Sequence, residues 1–409
     1  MTRIQVVLGL GFGDEGKGSI VDWLARQAEG PPLVVRWNGG PQAAHHVVTD
    51  DGRTFCFAQL GAASFVPGAR THLGADMAID PYALHAEAQA LARAGVPDAL
   101  ATVTVDPRCI LVTPWHAIVN RVRETLRGAA RHGTTGRGIA EAKLGRLAIR
   151  AGDLGGDLAA RALEIRTWLA ETAEGLAAGG PEEARAMAAR VHDPALTRVF
   201  MDAALALRPS GVVVTPAPPT AHHVIFEGAQ GALLDRDRGF FPHVTPSRIT
   251  RAAAETAARD LGLDGALEVW GVLRSYHTRH GEGPLPSRDA TLEGRLPELH
   301  NDSTGWAGTF RVGWFDAVLA GYALGFAGPV DHLALTCLDR LAAGSLAEAW
   351  IPGADELATM PSEDRTALTL AARPVLRDAP DLVAAVEEAT SHRVSVVSRG
   401  PTAGGKERR

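Results

Sequence analysis

Several features of secreted, membrane-spanning and nucleic-acid-binding proteins are missing from this chain of 409 residues. Cysteine is scarce. Cys56, Cys109 and Cys337 are odd in number and far apart, which favours a reducing compartment over a disulfide framework. No apolar run approaches the roughly 20 residues of a membrane span, and the N-terminus lacks a signal-peptide pattern. These absences predict a soluble cytoplasmic protein with no membrane contact.

Positive charge is limited as well. The formal net charge is −6 and there is no long basic run, so a nucleic-acid-binding role is disfavoured. The composition is that of an ordinary globular protein, with 46% hydrophobic and 22% charged residues and no internal repeat. The length suits one large domain or two to three smaller ones.

The most informative stretch is a glycine-rich segment, residues 9–19. It follows the apolar run 4–8, which predicts a buried strand, and precedes residues 20–25, whose spacing predicts a helix. Such a strand, turn and helix N-terminus form a phosphate site, because converging N–H groups and the helix dipole favour negative charge. The alternative is a plain glycine-rich turn, as in many α/β proteins.

The spacing within this segment is almost that of a P-loop. Gly11, four further residues and Gly16-Lys17 fit the pattern, but Gly18 replaces the usual Mg²⁺-binding Ser or Thr. An acid, Asp14, lies inside the loop instead. A carboxylate there repels phosphates unless a metal ion or a proton lies between them. Asp14 is therefore a candidate Mg²⁺ ligand, catalytic base, or both.

Other polar loops follow predicted strands or helices. The strand 33–36 leads to a loop ending near His45, and the strand that starts at residue 223 ends near Gln230. Polar groups at the carboxyl ends of strands are where α/β folds build their sites. The turn 133–139 offers hydroxyls and bare N–H groups that suit a phosphate, although a simple linker is an equal alternative. His277 and its neighbours are interpreted as a loop.

The remaining pattern predicts helices and strands in alternation. Helices are expected at 83–94, at 117–130 and over most of 157–207, and further strands at 267–275, 333–339 and 394–397.

Five of these segments, in this order, resemble the adenylosuccinate synthetase family. The matching segments are Gly13-Asp-Glu-Gly-Lys-Gly18, Gly133-Thr-Thr-Gly-Arg-Gly-Ile139, Phe226-Glu-Gly-Ala-Gln-Gly231 with Val244-Thr245, Thr336-x-Leu-Asp339 and Ser398-x-Gly-Pro401. The resemblance implies an α/β fold, a P-loop-like single large domain (1–401) with a central, mostly parallel sheet, peripheral helices and small subdomains. Residues 402–409 are expected to form a loose C-terminal tail, and the family's homodimer is implied.

The resemblance also implies a reaction. A GTP- and Mg²⁺-dependent ligase would phosphorylate the 6-oxygen of IMP and displace that phosphate with the amine of L-aspartate. Asp14 matches the base that removes the N1 proton, and Asp14 with the carbonyl of Ala44 matches the metal ligands. His45 matches the histidine that stabilises charge on the transferring phosphate, and Gln230 matches the residue that orients the base.

The implied ligand contacts fall into three groups. For GTP they are Gly13, Glu15, Gly16, Lys17, Gly18, Asp339, Ser398, Gly400 and Pro401, with Asp339 accepting from the guanine N1–H and N2–H₂. For IMP they are Asp14, Gln42, Thr135, Arg146, Gln230 and Thr245. For the amino acid they are Thr304 and Arg311.

The chain departs from the family pattern at several positions. Gln42 replaces an Asn that touches the substrate nucleotide, and Cys337 replaces the usual lysine beside the guanine site. A single Arg311 follows Trp306 where the family has consecutive arginines, and Arg146 is a candidate for an intersubunit contact. Three functions are considered. The first is the housekeeping ligase, the second a paralogue using another oxopurine-like nucleotide or amine, and the third a non-catalytic nucleotide-binding protein. The intact Asp14 and the other matched catalytic residues disfavour the third.

Overall fold

The computed structural model describes residues 2–297, 305–306 and 308–409 of the chain. Its α-helices are α1 (Lys17–Ala25), α2 (Pro81–Arg93), α3 (Pro114–Arg127), α4 (Ile139–Leu144), α5 (Leu158–Ala177), α6 (Glu182–Ala189), α7 (Pro194–Ala206), α8 (Arg251–Asp260), α9 (Ala290–Arg295), α10 (Ala317–Ala327), α11 (Ser362–Ala371) and α12 (Leu382–Thr390).

The strands have the following bounds. They are β1 (Arg3–Gly9), β2 (Leu33–Arg36), β3 (His45–Val48), β4 (Thr54–Phe57), β5 (Arg70–Leu73), β6 (Ala78–Ile79), β7 (Val103–Val105), β8 (Ile110–Leu111), β9 (Ile149–Arg150), β10 (Val213–Val214), β11 (His223–Gly231), β12 (Leu267–Arg274), β13 (His277–His280), β14 (Phe310–Gly313), β15 (Phe315–Asp316), β16 (His332–Thr336), β17 (Gly344–Ile351), β18 (Arg373–Ala379), β19 (Val394–Ser398) and β20 (Lys406–Arg408).

A ten-stranded sheet forms the centre of the described part of the chain, in the order β10-β7-β5-β2-β11-β1-β12-β16-β19-β20. Neighbouring strands run parallel except for the last pair, β19 and β20. In β1 every residue after Arg3 is buried. Parallel strands covered on both faces have such continuous apolar runs, and the predicted α/β fold with a mostly parallel sheet is confirmed.

Helices cover both faces of this sheet. On one face, Val7 packs with apolar residues of α1 and of the helices α3 and α5, in a cluster that includes Ile20, Val119 and Ile165. On the other face, Ile4 and its neighbours pack against the alanines of α8. The alternation of strand side chains between two faces explains why one strand contributes to two cores.

A smaller mixed sheet, with one parallel and one antiparallel strand pair, adjoins the carboxyl half of the central sheet. It consists of β15, β17 and β18, which pack with α10 and α12. Its centre is Asp316, a fully buried residue that caps α10 by accepting the N–H of Leu319 at 3.1 Å and also accepts the indole N–H of Trp350 at 3.0 Å. Burial raises the pKa of the Asp316 carboxyl to about 7, against these two hydrogen bonds.

Most predicted elements are present. The helical stretch 157–207 forms α5, α6 and α7, with its break at 178–181. Two expectations were wrong, since residues 277–280 form strand β13 rather than a loop, and the tail 402–409 is ordered. Residues 403–405 make a short 3-10 turn, and β20 pairs with β19.

Two contacts explain why this tail is ordered. The Arg408 guanidinium lies 5.0 Å from the ring centroid of Trp23. The Lys406 ammonium donates hydrogen bonds to backbone carbonyls of the turn that precedes β20. Short, charged strands are common at the edge of a sheet. Because such a strand has the same polar composition as a disordered tail, the sequence of β20 did not reveal it. Within the described ranges, no helix combines the length and apolarity needed to cross a membrane.

Candidate active site

The carboxyl ends of the central strands border a cavity of about 500 Å³. Strands β1, β2 and β11 end at this edge, as expected for a site in a parallel sheet. The cavity brings together residues predicted from well-separated motifs, which are Gly13, Asp14, Gln42, Ala44, His45, Thr135, Gln230 and Thr245. Asn120, His132, His243, His280 and Glu282 also line it and were not predicted as site residues, and Arg279 is a further lining residue.

The glycine-rich loop after β1 is folded around its own carboxylate. Glu15 accepts the N–H groups of Gly11 and Gly13 at 3.0 and 2.6 Å, and its other oxygen lies 2.8 Å from the Lys17 ammonium. Lys17 also donates to the Gly13 carbonyl at 2.6 Å and is fully buried. The structure therefore places the Glu15 and Lys17 side chains inside the loop, and neither lines the cavity, although contact with GTP phosphates was expected.

Glycine is required in this loop for two different reasons. A Cβ at Gly11 would lie 2.7 Å from the Glu15 carboxylate, so a side chain there would displace it. A Cβ at Gly18 would lie 2.7 Å from the Cβ of His45, because the first turn of α1 packs directly against β3. This close packing leaves no room at position 18 for the side chain of the Ser or Thr that a P-loop has there.

Asp14 lies at the mouth of the loop, on the wall of the cavity. Its carboxylate is partly exposed and lies 3.4 Å from the Nε2 atom of His280 in β13. Its main-chain carbonyl accepts a hydrogen bond from Arg274 at 3.2 Å. The Asp14 carboxylate is thus accessible to a ligand, while the hydrogen bond from Arg274 of β12 holds the Asp14 backbone in place.

His45 is held by a buried acid behind it. Its Nδ1 atom hydrogen-bonds to the Glu227 carboxylate, whose second oxygen accepts the N–H of Ala62 at 2.9 Å. Burial opposes the ionisation of Glu227, but the charge of Arg36 and the hydrogen bonds from His45 and Ala62 hold its pKa below the usual value. Glu227 was noted as a polar group at the end of its strand but was not predicted to act on His45.

Gln230 has a backbone conformation that side chains seldom adopt. Its φ is 59°, in the left-handed region, at the point where β11 leaves the sheet. Its side-chain oxygen accepts a hydrogen bond from Thr245 at 3.5 Å, so two residues predicted from separate motifs meet. Strained residues of this kind are concentrated at functional sites.

The predicted phosphate turn 133–139 is fixed on helix α3. The Glu124 carboxylate accepts the N–H groups of Gly133 and Thr134 at 3.1 and 3.4 Å, and the Thr134 hydroxyl donates to Asn120 at 3.0 Å. Thr135 is exposed toward the cavity. This arrangement leaves Thr135 accessible to a ligand.

Arg279, which lines the cavity, is paired with a second arginine. Arg311 of β14 lies directly opposite Arg279 of β13 in the antiparallel register. Arg279 is buried and donates to the carbonyl oxygens of Glu282 and Pro284 at 3.0 and 2.9 Å. Burial, together with the charge of Arg311, lowers the pKa of Arg279. Two paired arginines favour an anionic ligand. The other residue predicted to contact the amino acid, Thr304, lies outside the described residues.

The indole ring of Trp306 packs against the turn 133–139, next to two arginine side chains. The Arg131 and Arg121 guanidiniums lie 5.4 and 5.7 Å from its ring centroid, and Arg131 donates to its carbonyl at 3.1 Å. A Cβ at Gly136 would lie 2.6 Å from this ring. Trp306 thus packs against the phosphate turn.

A second cluster lies further along the same edge of the sheet. The N–H of Leu338 donates to the carbonyl of Ser398 at 3.0 Å, so the segment that carries Asp339 adjoins the turn 398–401. Thr336 connects this cluster to the glycine-rich loop, since its hydroxyl donates to the Glu15 carbonyl at 2.6 Å. The predicted guanine contacts Asp339, Ser398, Gly400 and Pro401 are therefore grouped, but outside the 500 Å³ cavity.

Arg146 is not brought to the cavity of its own chain. It is exposed, and its guanidinium lies 5.8 Å from the ring centroid of Trp168. The expected contact of Arg146 with IMP is thus absent within a single described chain.

The chain is similar to several known proteins. The sequence model of the family described as adenylosuccinate synthetase matches residues 6–352. Adenylosuccinate synthetases of Neisseria gonorrhoeae strains ATCC 700825 / FA 1090 and NCCP11945 are each 32% identical over 348 residues, covering 83% of this chain and 78% and 77% of theirs.

Two solved structures have a similar fold. One is the fully ligated adenylosuccinate synthetase of Plasmodium falciparum, with a TM-score of 0.77 at 22% identity and full coverage of both chains. The other is the succinoaminodeoxyadenylate synthetase of cyanophage S-2L, bound to dGMP and to dATP as an energy donor. Its TM-score is 0.60 at 19% identity, and 100% of this chain and 95% of that chain are covered.

Proposed function

Since this chain belongs to the adenylosuccinate synthetase family, we propose that it ligates IMP and L-aspartate in a GTP-dependent reaction that yields adenylosuccinate, GDP and phosphate. The observation that carries this proposal is the convergence of Asp14, His45, Gln230 and the turn 133–139 on one cavity. These groups supply a base, a charge-stabilising imidazole and a phosphate cradle within a single space.

The first step is the activation of the purine. Asp14 takes the N1 proton of IMP, and the electron pair moves to O6, which attacks the γ-phosphorus of GTP as GDP leaves. Gln230, restrained by its backbone and by Thr245, orients the purine relative to Asp14. Thr135 binds the 5′-phosphate.

His45 acts on the phosphoryl group in transit. Its Nδ1–H points to Glu227, so Nε2 is the ring nitrogen left to face the cavity. The Glu227 carboxylate stabilises an imidazolium if a proton is added as the phosphoryl group brings its negative charge. In the second step the amine attacks C6, the phosphate leaves from that carbon, and the amine proton is released.

Magnesium fits the oxygen atoms at the loop mouth. Mg²⁺ is usually bound by one or two protein oxygens and by substrate phosphates, and Asp14 with the carbonyl of Ala44 offers such a set. When bound, it neutralises charge on the transferring phosphate. The described residues contain no group of three or more acidic, histidine or cysteine side chains that could hold a metal without substrate.

The amine donor is assigned to the paired arginines. A dicarboxylate needs more than one guanidinium for good binding, and Arg279 opposite Arg311 supplies the second. GTP is assigned to the other cluster, where Asp339 accepts the N1–H and N2–H₂ of guanine, a donor pair that adenine lacks. We place the enzyme in the cytoplasm as a homodimer, in which a partner's Arg146 would reach the site.

The test is a purified-protein assay that measures phosphate release and adenylosuccinate formation with IMP, aspartate and GTP. Asp14→Asn should abolish both products while the melting temperature stays close to that of the wild type, because the base and a metal ligand are lost together. Asp76→Asn is the matched control, since Asp76 is exposed and does not line the cavity. Full activity of Asp14→Asn would contradict the proposal.

A divergent paralogue with another oxopurine-like nucleotide or amine is the second candidate. It is favoured by Gln42, whose buried side-chain oxygen has no hydrogen-bond partner among the described residues, and by Trp306 over the phosphate turn. A panel of oxopurine nucleotides and amino acids, each measured by GTP-dependent phosphate release, separates the two. Selective turnover of IMP with aspartate would exclude the paralogue.

A further inference from the structure

Lys406, in the last strand, binds the backbone of the turn that precedes it. Its ammonium donates to the carbonyl oxygens of Gly400, Pro401 and Thr402 at 3.2, 3.0 and 2.8 Å. The residue is buried, with 8% of its surface exposed. A lysine ammonium has three donors, and all three find an acceptor within this one turn.

The turn is also closed by backbone contacts. The N–H of Arg399 donates to the carbonyl of Gly405 at 2.8 Å, and the N–H of Gly405 donates to the carbonyl of Thr402 at 3.1 Å. Ser398 lies opposite Lys406 in the β19–β20 register, and its hydroxyl donates to Gly400 at 3.0 Å. Strand β20 therefore brings the ammonium to the inner side of the turn.

These bonds decide which way the peptide groups of the turn face. In a trans peptide the C=O and the following N–H point in opposite directions. With the carbonyls of Pro401 and Thr402 directed at the ammonium, the N–H groups of Thr402 and Ala403 face away from it. The outer rim of the turn thus presents hydrogen-bond donors.

The turn and Asp339 form one surface, and Lys406 lies behind it. The segments meet where the Leu338 N–H binds the Ser398 carbonyl at 3.0 Å. Burial lowers the pKa of Lys406 to about 8, and the nearby charges of Asp22, Asp339 and Asp50 act in the opposite direction. The acceptor on Asp339 and the donors on the turn complement the N1–H, N2–H₂ and O6 groups of an oxopurine.

We propose that Lys406 is a positioning residue for the purine of the nucleoside triphosphate, holding the turn 398–402 in the orientation that presents its N–H groups beside Asp339. This inference rests on the proposed function, which assigns that purine to the turn. Lys406 touches backbone carbonyls, so its effect on the ligand is exerted through the turn.

The test compares Lys406→Met, which keeps an unbranched stem and removes the ammonium, with the wild type. The KM for GTP should rise at least about tenfold, since hydrogen bonds to a charged group are lost. The KM values of IMP and the amine, and kcat at saturating GTP, should change less than about twofold. The preference for GTP over ATP should fall. Lys406→Gln, which retains two donors, should recover part of the GTP affinity.

Arg408→Met is the control for general loosening of β20. It removes the contacts with Trp23 and Trp270 but leaves Lys406 and its three bonds. A rise in the KM for GTP as large as that of Lys406→Met would overturn the inference, as would an unchanged KM in folded Lys406→Met. Should Lys406→Met fail to fold, Lys406→Gln decides, and wild-type KM and selectivity in that variant count against the role.

The same experiment distinguishes this inference from the proposed function. A wild-type protein that turns over no GTP with any oxopurine nucleotide contradicts the proposed function, and the inference falls with it. An active wild type with an unaffected Lys406→Met overturns the inference alone.

Discussion

At His45 the position of one proton determines what the side chain can do. Burial lowers the pKa of this histidine to about 4, against the opposing effect of Glu227, so the ring is neutral at pH 7. Its Nδ1–H donates to the Glu227 carboxylate, and Nε2 is an acceptor until negative charge enters the cavity. The role proposed for His45 therefore depends on the Glu227 carboxylate.

A double-mutant cycle tests this dependence. His45→Ala should lower kcat by about 10² to 10³, as the loss of one transition-state donor does. Glu227→Gln should lower kcat by about tenfold, equivalent to roughly 1.4 kcal/mol. The double variant should match His45→Ala alone, because Glu227 has no route to the substrate without the imidazole. Additive effects in steady-state kinetics would show that Glu227 acts independently.

Among the elements, the strand pair β13 and β14 carries the two arginines to which the amine donor is assigned in the proposed function. Antiparallel register sets Arg279 opposite Arg311, although more than 30 residues separate them in the chain. Like charges opposite each other destabilise a strand pair. In the proposed function, a dicarboxylate bound beside these strands offsets this cost.

Removing one of these charges should weaken one substrate selectively. Arg311→Ala should raise the KM of the amine donor by about 30-fold or more, since losing one partner of a charge pair costs roughly 2 kcal/mol or more. The KM of GTP should stay within about twofold. Arg288→Ala is the control, because its exposed guanidinium pairs with Glu293 at 2.8 Å. Equal effects on both substrates, measured by initial rates, would place the amine elsewhere.

For the molecule as a whole, stability should depend on pH through Asp316. Its folded-state pKa of about 7 lies above the ordinary 3.8, so the folded protein binds this proton more tightly than the unfolded chain does. Stability from the protonated form is present below pH 3.8 and is lost as the pH rises toward 7. Urea denaturation at pH 5 and pH 8 should show a larger decrease for the wild type than for Asp316→Asn. Parallel decreases would assign the pH dependence to other groups.

Much of this architecture could be predicted because buried parallel strands have distinctive sequences. Continuous apolar runs predicted β1, β2 and β19, and the family resemblance assigned both Gln230 and Thr245 to the nucleotide, which are in contact in the structure. The juxtaposition of Arg279 and Arg311 could not be predicted, because register between separate strands is a tertiary property. The ion pair between Lys17 and Glu15 was not predicted either. The N–H groups of a glycine-rich loop can bind a phosphate or a carboxylate, and the sequence does not show that here they bind Glu15.

The strand order has a consequence for how the chain is made. Strand β1 is synthesised well before its two partners, β11 and β12, which begin at His223 and Leu267. At about 5–20 residues per second, roughly 10 to 50 seconds pass before β1 can pair. During that interval a strand with six buried positions in the finished protein has no sheet to join. Parallel pairing across such distances is slow and exposes the chain to aggregation, so the apolar residues of β1 remain unpaired during synthesis until β11 and β12 have been made.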